Sequence, residues 1–415
     1  MRIALFTHHY SPESNAPQKR WEALIQRFIT TGQEVVVYTP PPHYPEGALT
    51  HQDAKYKTGQ VHIGKHGETI IRVRFREHGL GLVSRSMDQL IAALDTVFKF
   101  TFSRGKKLPK PDVIISTAPG LPSIAAGHYA GFFTRRPNVV EIRDAWPDLL
   151  NYSGIFQKKE QPGVFARILN RITFNAITRW QKKAAAIVTT TESYAQVLQE
   201  RGIKEVRVIR NGVTVSNLNP ISQLLEDTFK IAYIGTVGRS QGLAQVVEAS
   251  AQMAAHGVNV EVKIIGTGAE LQSLKDLAKT LAAPVEFPGR IEMTEVRQYQ
   301  EWANTLLVSL RDWKPFHWTV PSKLYESLAL GKHITAVVSG EAAELVKDLA
   351  AGHVSVPGQV SDLVDLWVQL AKNPELLTVS DRGQRWALEN VHYDRLAAGY
   401  LELLDDLVSG KANHE

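Results

Sequence analysis

The stretch that decides the fold runs from Arg311 to Glu344 and reads RDWKPFHWTVPSKLYESLALGKHITAVVSGEAAE. Pro321 in the first turn predicts a helix with apolar residues at helical spacing, and Gly331 predicts its end. Residues 333–338 are a short apolar, β-rich run, and the turn after them opens another helix. In a parallel sheet, strand ends and helix starts share one edge, where unpaired amides and helix dipoles can hold an anion. We interpret this edge as a site for a nucleotide diphosphate.

The same alternation of strands and helices extends over the rest of the chain. Residues 2–39 read as strand, helix and strand, and the pattern restarts after the turn at Asn211 and Gly212. Residues 229–250 and 260–278 then repeat the order of strand, glycine loop and helix. We predict an α/β protein with two Rossmann-like, doubly wound parallel-sheet domains, at residues 1–208 and 209–390. Residues 386–408 predict one or two further helices that could close against either domain.

Three segments of the first half carry more specific expectations. The prolines near Pro40 forbid regular structure, so residues 40–60 are predicted to form a long loop. Residues 70–76 read as a strand with Arg72, Arg74 and Arg76 on its solvent face. Residues 86–102 read as a helix with apolar residues at matching spacing and a basic end. That helix either faces the core or lies on an anionic membrane surface, and the sequence leaves both open.

Composition limits the class of protein. The chain has 415 residues and no Cys, which excludes disulfides, thiolate metal sites and a Cys nucleophile. Residues 1–210 carry 30 Lys and Arg against 17 Asp and Glu, whereas the remainder carries 17 against 25. The basic half suggests an anionic partner, although it lacks any nucleic-acid-binding motif. Without a signal peptide or an apolar run of membrane-spanning length, we expect a cytoplasmic protein, with peripheral contact at the inner membrane face.

Two glycine loops in the second half follow predicted strands, Gly235-x-x-Gly238-Arg239 and Gly266-x-Gly268. Glycine there lets the backbone approach a phosphate or a base without a Cβ clash. Neither half has G-x-G-x-x-G in its first turn, which argues against a dehydrogenase. Arg239, Lys323 and the helix starts at Ser322 and Gly340 could neutralise a diphosphate, so we expect no metal and no other cofactor. The carboxylates of Glu326 and Glu341 could accept hydrogen bonds from sugar hydroxyls.

Several motifs carry a family resemblance. PSKLYESLALGKHITAVVSGE, IIGTGAE, FPGRI, IRNGV and YIGTVGRSQG resemble glycosyltransferase family 4, whose retaining enzymes have the two-Rossmann-domain (GT-B) fold. MRIALFTHHYSPESNAPQKRWEAL and IRDAWPDLL resemble its branch for bacterial capsule, O-antigen and other surface polysaccharides. The resemblance implies two domains facing across a cleft, the first binding the acceptor and the second a nucleotide sugar, commonly UDP-linked. The basic first half and the helix of residues 86–102 would suit a polyprenyl-linked acceptor, and a saccharide without a lipid stays open. The resemblance also implies that residues 391–415 form a helix crossing back to the first domain.

The resemblance assigns roles to residues of the second domain. Arg239, beside Gly238, would contact the diphosphate, and Glu326 the ribose hydroxyls. The backbone at Arg290 and Ile291 would contact the base. The remaining donor-site candidates lie in the decisive stretch or in the second glycine loop: Phe316, His317, Thr319, Ser322, Gly266 and Gly268.

Three positions depart from the family pattern. Trp318 stands where the family has the first of two glutamates, and Gln241 stands where it has a lysine before glycine. Lys323 could replace that lost charge. Ser14, Asn15 and Ala16 stand where many relatives have glycines.

The acceptor side is less defined. Asp144 follows a predicted strand and is our candidate for positioning the acceptor or its proton, although a helix cap or a partner for Arg143 explains it equally well. Further candidates for the acceptor side are His8 and His9, at the end of the first strand, and Asn15 and Arg20 in the residues that follow. The function implied is a retaining hexosyltransferase without a protein nucleophile. A non-catalytic nucleotide-sugar scaffold, an epimerase and a phosphorylase remain alternatives.

Overall fold

The structure, a computed structural model, describes residues 1–13, 15–44, 46–79, 81–102, 110–118, 120–152, 164–214 and 227–410. The chain divides into two compact units, Met1–Asn211 with Tyr393–Glu415, and Gly212–His392. The boundaries expected from the sequence lie at 208/209 and 390/391, and those of the compact units at 211/212 and 392/393.

The first unit contains an eight-stranded sheet. Its strands are β1 (Arg2–Phe6), β2 (Glu34–Thr39), β3 (Val61–Ile63), β4 (Thr69–Arg72), β5 (Val113–Thr117), β6 (Asn138–Ile142), β7 (Ala186–Thr189) and β8 (Val206–Val208). Their order is β3-β4-β2-β1-β5-β6-β7-β8, and every pair is parallel except β3 with β4. The carboxyl ends of β1, β2 and β4 therefore lie side by side.

Helices cover both faces of this sheet, as parallel sheets require. They are α1 (Ala16–Thr30), α2 (Leu82–Phe102), α3 (Leu121–Thr134), α4 (Val164–Lys182) and α5 (Glu192–Glu200). Side chains of β1 alternate between two cores: Ile3 and Leu5 pack with α1, whereas Ala4 and Phe6 pack with α2 and α3.

The second unit contains a six-stranded, all-parallel sheet. Its strands are β9 (Phe229–Ile234), β10 (Val260–Ile265), β11 (Val285–Gly289), β12 (Thr305–Ser309), β13 (Ile334–Val337) and β14 (Gly352–Ser355). Their order, β11-β10-β9-β12-β13-β14, is the order of a Rossmann fold. The switch in strand order therefore falls between β9 and β12, where such sheets bind ligands outside the carboxyl ends of their strands.

Helices α6 (Ala244–Ala255), α7 (Leu271–Thr280), α8 (Val296–Trp302), α9 (Ser322–Leu330), α10 (Glu341–Asp348), α11 (Val360–Lys372) and α12 (Arg382–Val391) surround this sheet. The largest core lies on one face, where Ile231 and Tyr233 pack against α6 and α11. Gly331 ends α9 in the left-handed conformation (φ 63°), as the sequence predicts.

The last helix, α13 (Tyr393–Ser409), belongs to the first unit. Tyr400 is fully buried, and its ring lies 5.7 Å from Trp21 and 5.9 Å from Phe28 on α1. Asp394 forms an ion pair with Arg27 of α1. The chain thus returns to its first domain, with the aromatic packing of α13 on α1 as the principal contact.

Two local predictions about β4 were wrong. Arg72 does not face solvent: it is fully buried, and its guanidinium donates to the carbonyls of Pro40 (2.9 Å) and Ser11 (2.6 Å). Arg74 and Arg76 are exposed as expected, but β4 ends at Arg72. The long loop predicted for residues 40–60 is confirmed over its described residues, with one 3-10 turn at Ala54–Tyr56. The antiparallel strand β3 that follows it was not predicted.

Candidate functional site

The carboxyl edge of the second sheet is built from closely packed loops. The loop after β9 donates the Val237 amide to the Thr267 carbonyl in the loop after β10 (2.9 Å). A Cβ on Gly266 (φ 141°) would lie 1.8 Å from the Gly235 oxygen, and one on Gly268 would lie 2.1 Å from the Val237 oxygen. Glycine is required here because two backbones touch, so the loops have one fixed conformation. The sequence interpretation, which gave these glycines to a ligand, missed this contact between loops.

Lys323 lies at the same edge, on the first turn of α9. Its ammonium donates to the Tyr233 hydroxyl (2.6 Å) and lies 4.0 Å from the centre of that ring. A Cβ on Gly235 would lie 2.0 Å from the Lys323 Nζ, so Gly235 makes room for this side chain. The residue as a whole is half-buried, but its charged end is enclosed, and burial lowers the Lys323 pKa to about 7.

The Tyr233 hydroxyl that receives this ammonium donates in turn to the Thr236 carbonyl (2.6 Å). Among the described residues no carboxylate lies within ion-pair distance of Lys323, although Glu326 favours its charged form at longer range. An ammonium held by a phenol is poorly compensated in a buried site. The arrangement therefore favours an anionic ligand beside Gly235.

Arg239 is exposed on the 3-10 turn Arg239–Gln241 after β9. Gln241, which replaces the expected lysine, shapes this turn: its Oε1 accepts from the Gly238 amide (3.1 Å), and its carbonyl accepts from the Ser309 hydroxyl (2.7 Å). Gln241 therefore replaces a positive charge by hydrogen bonds that hold this turn, which lies beside the switch in strand order.

Arg311 is a candidate that the sequence analysis missed. It follows β12, and its amide donates to the Ser240 carbonyl (2.9 Å). Its guanidinium donates to Glu270 (3.1 Å), and its Cγ would lie 2.9 Å from a Cβ on Gly242. The sequence signal that could have identified Arg311 is its position directly after a predicted strand of this sheet.

Three other donor-site candidates, Phe316, His317 and Thr319, make contacts within the loop that precedes α9. Phe316 is buried and stacks on Trp313 (5.2 Å between ring centres), and the Thr319 hydroxyl donates to the Pro315 carbonyl (3.0 Å). His317 pairs with Asp312 (2.6 Å), and its carbonyl would lie 2.0 Å from a Cβ on Gly340. These contacts fix the loop between β12 and α9.

Four more candidates lie around that loop. Ser322 is the first residue of α9 and is half-buried. Glu326 and Arg290 are exposed. Ile291 packs against the core residues between the sheet and α8. The four residues come from two places, α9 and the segment directly after β11.

In the first unit, Asp144 is exposed after β6, and within the described chain its carboxyl makes no hydrogen bond or ion pair. It caps no helix, because Pro147 precedes the 3-10 turn Asp148–Asn151, and Arg143 lies 3.7 Å from Glu141 instead. Loss of solvation raises the pKa of the Asp144 carboxyl, and the charge of Arg143 opposes this shift.

Asn15 and Arg20 are structural in their contacts. Asn15 caps α1 by accepting from the Gln18 amide (2.8 Å). Arg20 is 2% exposed, pairs with Glu141 (3.1 Å) and donates to the Ile209 carbonyl (2.9 Å). Neither side chain is available to an acceptor in this arrangement.

His8 and His9 enter a histidine cluster at the carboxyl edge of the first sheet. His8 is buried and lies 3.0 Å from Asp88, and burial lowers its pKa. His9 contacts Glu13 (2.8 Å), whose pKa falls to about 2 because bonds from His9 and the His43 amide outweigh burial. His43, Asp88 and His78 complete a group that the sequence analysis did not assemble, since these residues come from separate loops and a helix.

Comparisons with known proteins give the family. The profile for "Glycosyl transferase 4-like domain" matches residues 15–212, and that for "Glycosyl transferases group 1" matches residues 216–385. Together they leave only the two ends and residues 213–215 unmatched. None of the curated proteins matched the chain.

Solved structures share the fold over nearly the whole chain. Sucrose-phosphate synthase from Thermosynechococcus elongatus is 16% identical, with a TM-score of 0.73 and 99% of each chain covered. HepE from Anabaena, solved with UDP-glucose, is 15% identical, with a TM-score of 0.66, and 98% of this chain and 100% of HepE are covered. The lipopolysaccharide outer core galactosyltransferase WaaB is 14% identical, with a TM-score of 0.64, and 99% of this chain and 100% of WaaB are covered.

The two profiles divide the chain at nearly the same place as its two compact units, and the second unit has the strand order of a Rossmann fold. The chain is a glycosyltransferase of the family 4 type, with the two α/β domains of the GT-B fold.

Proposed function

We propose that this protein transfers a sugar, with retention at the anomeric carbon, from a UDP-sugar to a saccharide or lipid-linked saccharide of the cell surface. The observation that carries the donor part is the enclosed ammonium of Lys323, held by a phenol beside Gly235. A diphosphate would supply the missing negative charge. HepE binds UDP-glucose on the same fold, which supports the nucleotide sugar as the class of donor.

The reaction needs charge stabilisation more than a nucleophile. As the bond from the anomeric carbon to the diphosphate breaks, negative charge develops on the leaving phosphate. Lys323, Arg239, Arg311 and the amides at the starts of α9 and α10 are the groups at this edge that can receive it. The acceptor oxygen then bonds to the same face of that carbon, and its proton leaves with the diphosphate. This scheme needs no metal at the donor site.

The acceptor side of the proposal rests on Asp144 and on the basic first domain. Asp144 is open to water and follows β6 at the carboxyl edge of its sheet, so its carboxyl can orient an acceptor hydroxyl. WaaB is a lipopolysaccharide core galactosyltransferase, and its likeness of fold supports a surface glycan as the acceptor class.

A surface of α2 supports contact with a membrane. Leu90, Leu94, Phe98 and Phe102 recur every fourth residue, and all are exposed, the last by 70%. Core contacts on α2 come instead from Ala92, Ala93 and Phe100. The core-facing interpretation therefore fails to explain the apolar stripe. No helix in the described part of the chain could span a membrane.

Helix α3 extends the exposed apolar surface of α2. On α3, Phe132 (73% exposed) and Phe133 (60%) stand next to exposed Arg135 and Arg136. Aromatic and basic residues side by side favour an anionic lipid surface. The basic end that the sequence predicts for α2 includes Arg104, Lys106 and Lys107, which lie outside the described residues.

Two experiments test the proposal. The first incubates the protein with labelled UDP-glucose, UDP-galactose and UDP-N-acetylglucosamine and follows transfer to lipid-linked saccharides, with the anomeric configuration of the product read by NMR. Transfer with retention supports the assignment. Nucleotide binding without turnover would indicate a scaffold, and conversion of the donor alone would indicate an epimerase.

The second experiment measures cosedimentation with anionic vesicles at low salt. Replacing Phe98 and Phe102 by Asp should abolish vesicle binding. Replacing exposed Met293 of the second unit by Asp is the matched control and should have no effect. Equal binding by all three proteins would contradict the membrane part of the proposal.

A further inference from the structure

Four residues from different segments meet at the carboxyl edge of the first sheet. His8 follows β1, His43 lies in the loop after β2, His78 lies beyond β4, and Asp88 is on α2. Since β1, β2 and β4 are neighbours, their loops end close together. His43 is 1% exposed and Asp88 is fully buried. The cluster is therefore enclosed by the fold.

One carboxylate oxygen is the centre of the group. Asp88 Oδ2 lies 3.0 Å from His8 Nε2, 3.9 Å from His43 Nε2 and 3.8 Å from His78 Nε2. The donor atoms of His43, His78 and Asp88 all lie within 4.8 Å of one another. The last two distances are too long for hydrogen bonds, and among the described residues His43 Nε2 has no hydrogen-bond partner.

The other ring nitrogens fix the direction of the lone pairs. His43 Nδ1 lies 2.8 Å from the Pro41 carbonyl, and His78 Nδ1 lies 3.0 Å from the Gly79 carbonyl. A carbonyl only accepts, so each Nδ1 carries a proton, and in the neutral ring each Nε2 presents a lone pair. Two nitrogen lone pairs thus face a carboxylate oxygen. Three electron-rich atoms converging in this way are the donor set of a cation.

We propose that His43, His78 and Asp88 bind one Zn²⁺ ion, with His8 as the outer partner of the Asp88 carboxylate. Zinc bonds of about 2.0–2.1 Å to nitrogen place neighbouring tetrahedral ligands roughly 3.3 Å apart. The distances from Asp88 Oδ2 to His78 Nε2 (3.8 Å) and to His43 Nε2 (3.9 Å) would then shorten by about half an ångström when the ion binds. The Nδ1 bonds to carbonyls are the second contacts that orient metal-binding imidazoles.

The backbone holds these ligands together independently of any ion. The His78 amide donates to the Gly47 carbonyl (3.0 Å), and the Gly47 amide donates to the His43 carbonyl (2.8 Å). A Cβ on Gly47 (φ 78°) would lie 2.4 Å from His78 Nδ1, so glycine is needed for the ring to approach. Asp88 Oδ1 accepts from the Arg76 amide (2.9 Å), which leaves Oδ2 directed at the histidines.

The ion would join the proline-rich loop after β2, the segment beyond β4 and α2, and so add to the backbone hydrogen bonds that already link them. Its role in this proposal is to stabilise the first unit. The sequence analysis expected no metal, so an ion bound here would correct that expectation. The proposed donor site lies in the second unit and uses none of these residues. The two proposals are therefore independent, and each can fail without the other.

The test uses tag-free protein, because an affinity tag would itself bind metal. Chelator-treated protein is titrated with Co²⁺, and the intense visible absorption of tetrahedral Co²⁺ is recorded. We expect one Co²⁺ per chain, its displacement by Zn²⁺, and a higher melting temperature with either ion. His78→Gln and Asp88→Asn should lower metal affinity at least about 100-fold.

The control is His51→Gln, which changes an exposed histidine of the same unit whose Nδ1 contacts Thr50 (3.0 Å). It should bind Co²⁺ as the unchanged protein does. Circular dichroism identifies any variant that is unfolded. If a variant is unfolded, the amount of Co²⁺ bound by the unchanged protein tests the zinc site by itself. Absence of bound Co²⁺, or the same weak spectrum in the unchanged protein and in His78→Gln, would overturn the zinc site.

Discussion

Replacing Lys323 by Met tests the donor site most directly, through the pH dependence of UDP binding. The Lys323 pKa is lowered to about 7 because its ammonium is enclosed. A bound diphosphate adds negative charge beside it and should return that pKa towards its ordinary value. Only the protonated form then binds UDP strongly, so affinity must fall as the pH rises above 7.

The magnitude follows from the populations. With a pKa of about 7, roughly half of the free protein carries the charge at pH 7, and about 1% carries it at pH 9. Since apparent affinity scales with the competent fraction, the UDP dissociation constant should rise about 50-fold over this range. Lys323→Met should bind UDP weakly at pH 7 and show almost no further change up to pH 9.

Lys332 provides the matched control. It is also buried, and its pKa is lowered to about 8 for the same reason, but it lies at the opposite edge of the sheet, before β13. Lys332→Met should keep the affinity and the pH slope of the unchanged protein. Isothermal titration calorimetry at half-unit steps of pH measures all three. A flat profile in the unchanged protein, or an equal loss in Lys332→Met, would refute the assignment.

Stability gives the same experiment a second readout. An unfolded lysine binds its proton up to about pH 10.5, whereas folded Lys323 releases it near 7. Between these two pH values the unfolded state therefore binds more protons than the folded state, and stability rises with pH. Burial of the charged lysine destabilises the fold most at the lower of the two pH values and below it. Lys323→Met should melt at a higher temperature than the unchanged protein at pH 7 without nucleotide. Weak binding by a more stable variant cannot be explained by misfolding.

Three further changes test the remaining features. Arg311→Ala should weaken UDP binding about tenfold by calorimetry, whereas Arg297→Ala, which removes a similar ion pair from α8, should not. Gly268→Ala places a Cβ against the Val237 carbonyl and should lower stability by about 1–3 kcal/mol in urea unfolding, while a neutral result would contradict the loop contact. Tyr400→Ala should cost roughly 3–5 kcal/mol, measured in the same way, and Tyr400→Phe far less.

The order of elements could be predicted from the sequence because each signal is local. A helix start at Pro321, a stop at Gly331 and an apolar run between the two helices need no distant information. Arg72 was mispredicted because alternation identifies the two faces of a strand but not which of them the loops cover. Its guanidinium is buried by Ser11 and Pro40, which lie far away in the sequence.

The same limit applies to the sites. Lys323 was proposed from the sequence because it stands in the motif that begins α9, and Arg311 was not proposed although it opens the same stretch. Its value lies in contacts with Glu270 and the turn at Ser240, and these depend on strand order rather than spacing. Asp144 was correctly placed after a strand; it caps no helix, and its interaction with Arg143 is electrostatic, without an ion pair.

The histidine cluster shows why side-chain constellations are harder to predict than loops that bind through the backbone. A glycine loop contributes amides whose position follows from one strand and one helix, so its residues are adjacent in the sequence. His43, His78 and Asp88 are 35 and 10 residues apart and meet only because β2 and β4 are neighbours and α2 returns over their ends. Their chemistry therefore becomes visible once strand order is known. In this chain, the motif-rich second unit could be interpreted before the structure, and the first unit only after it.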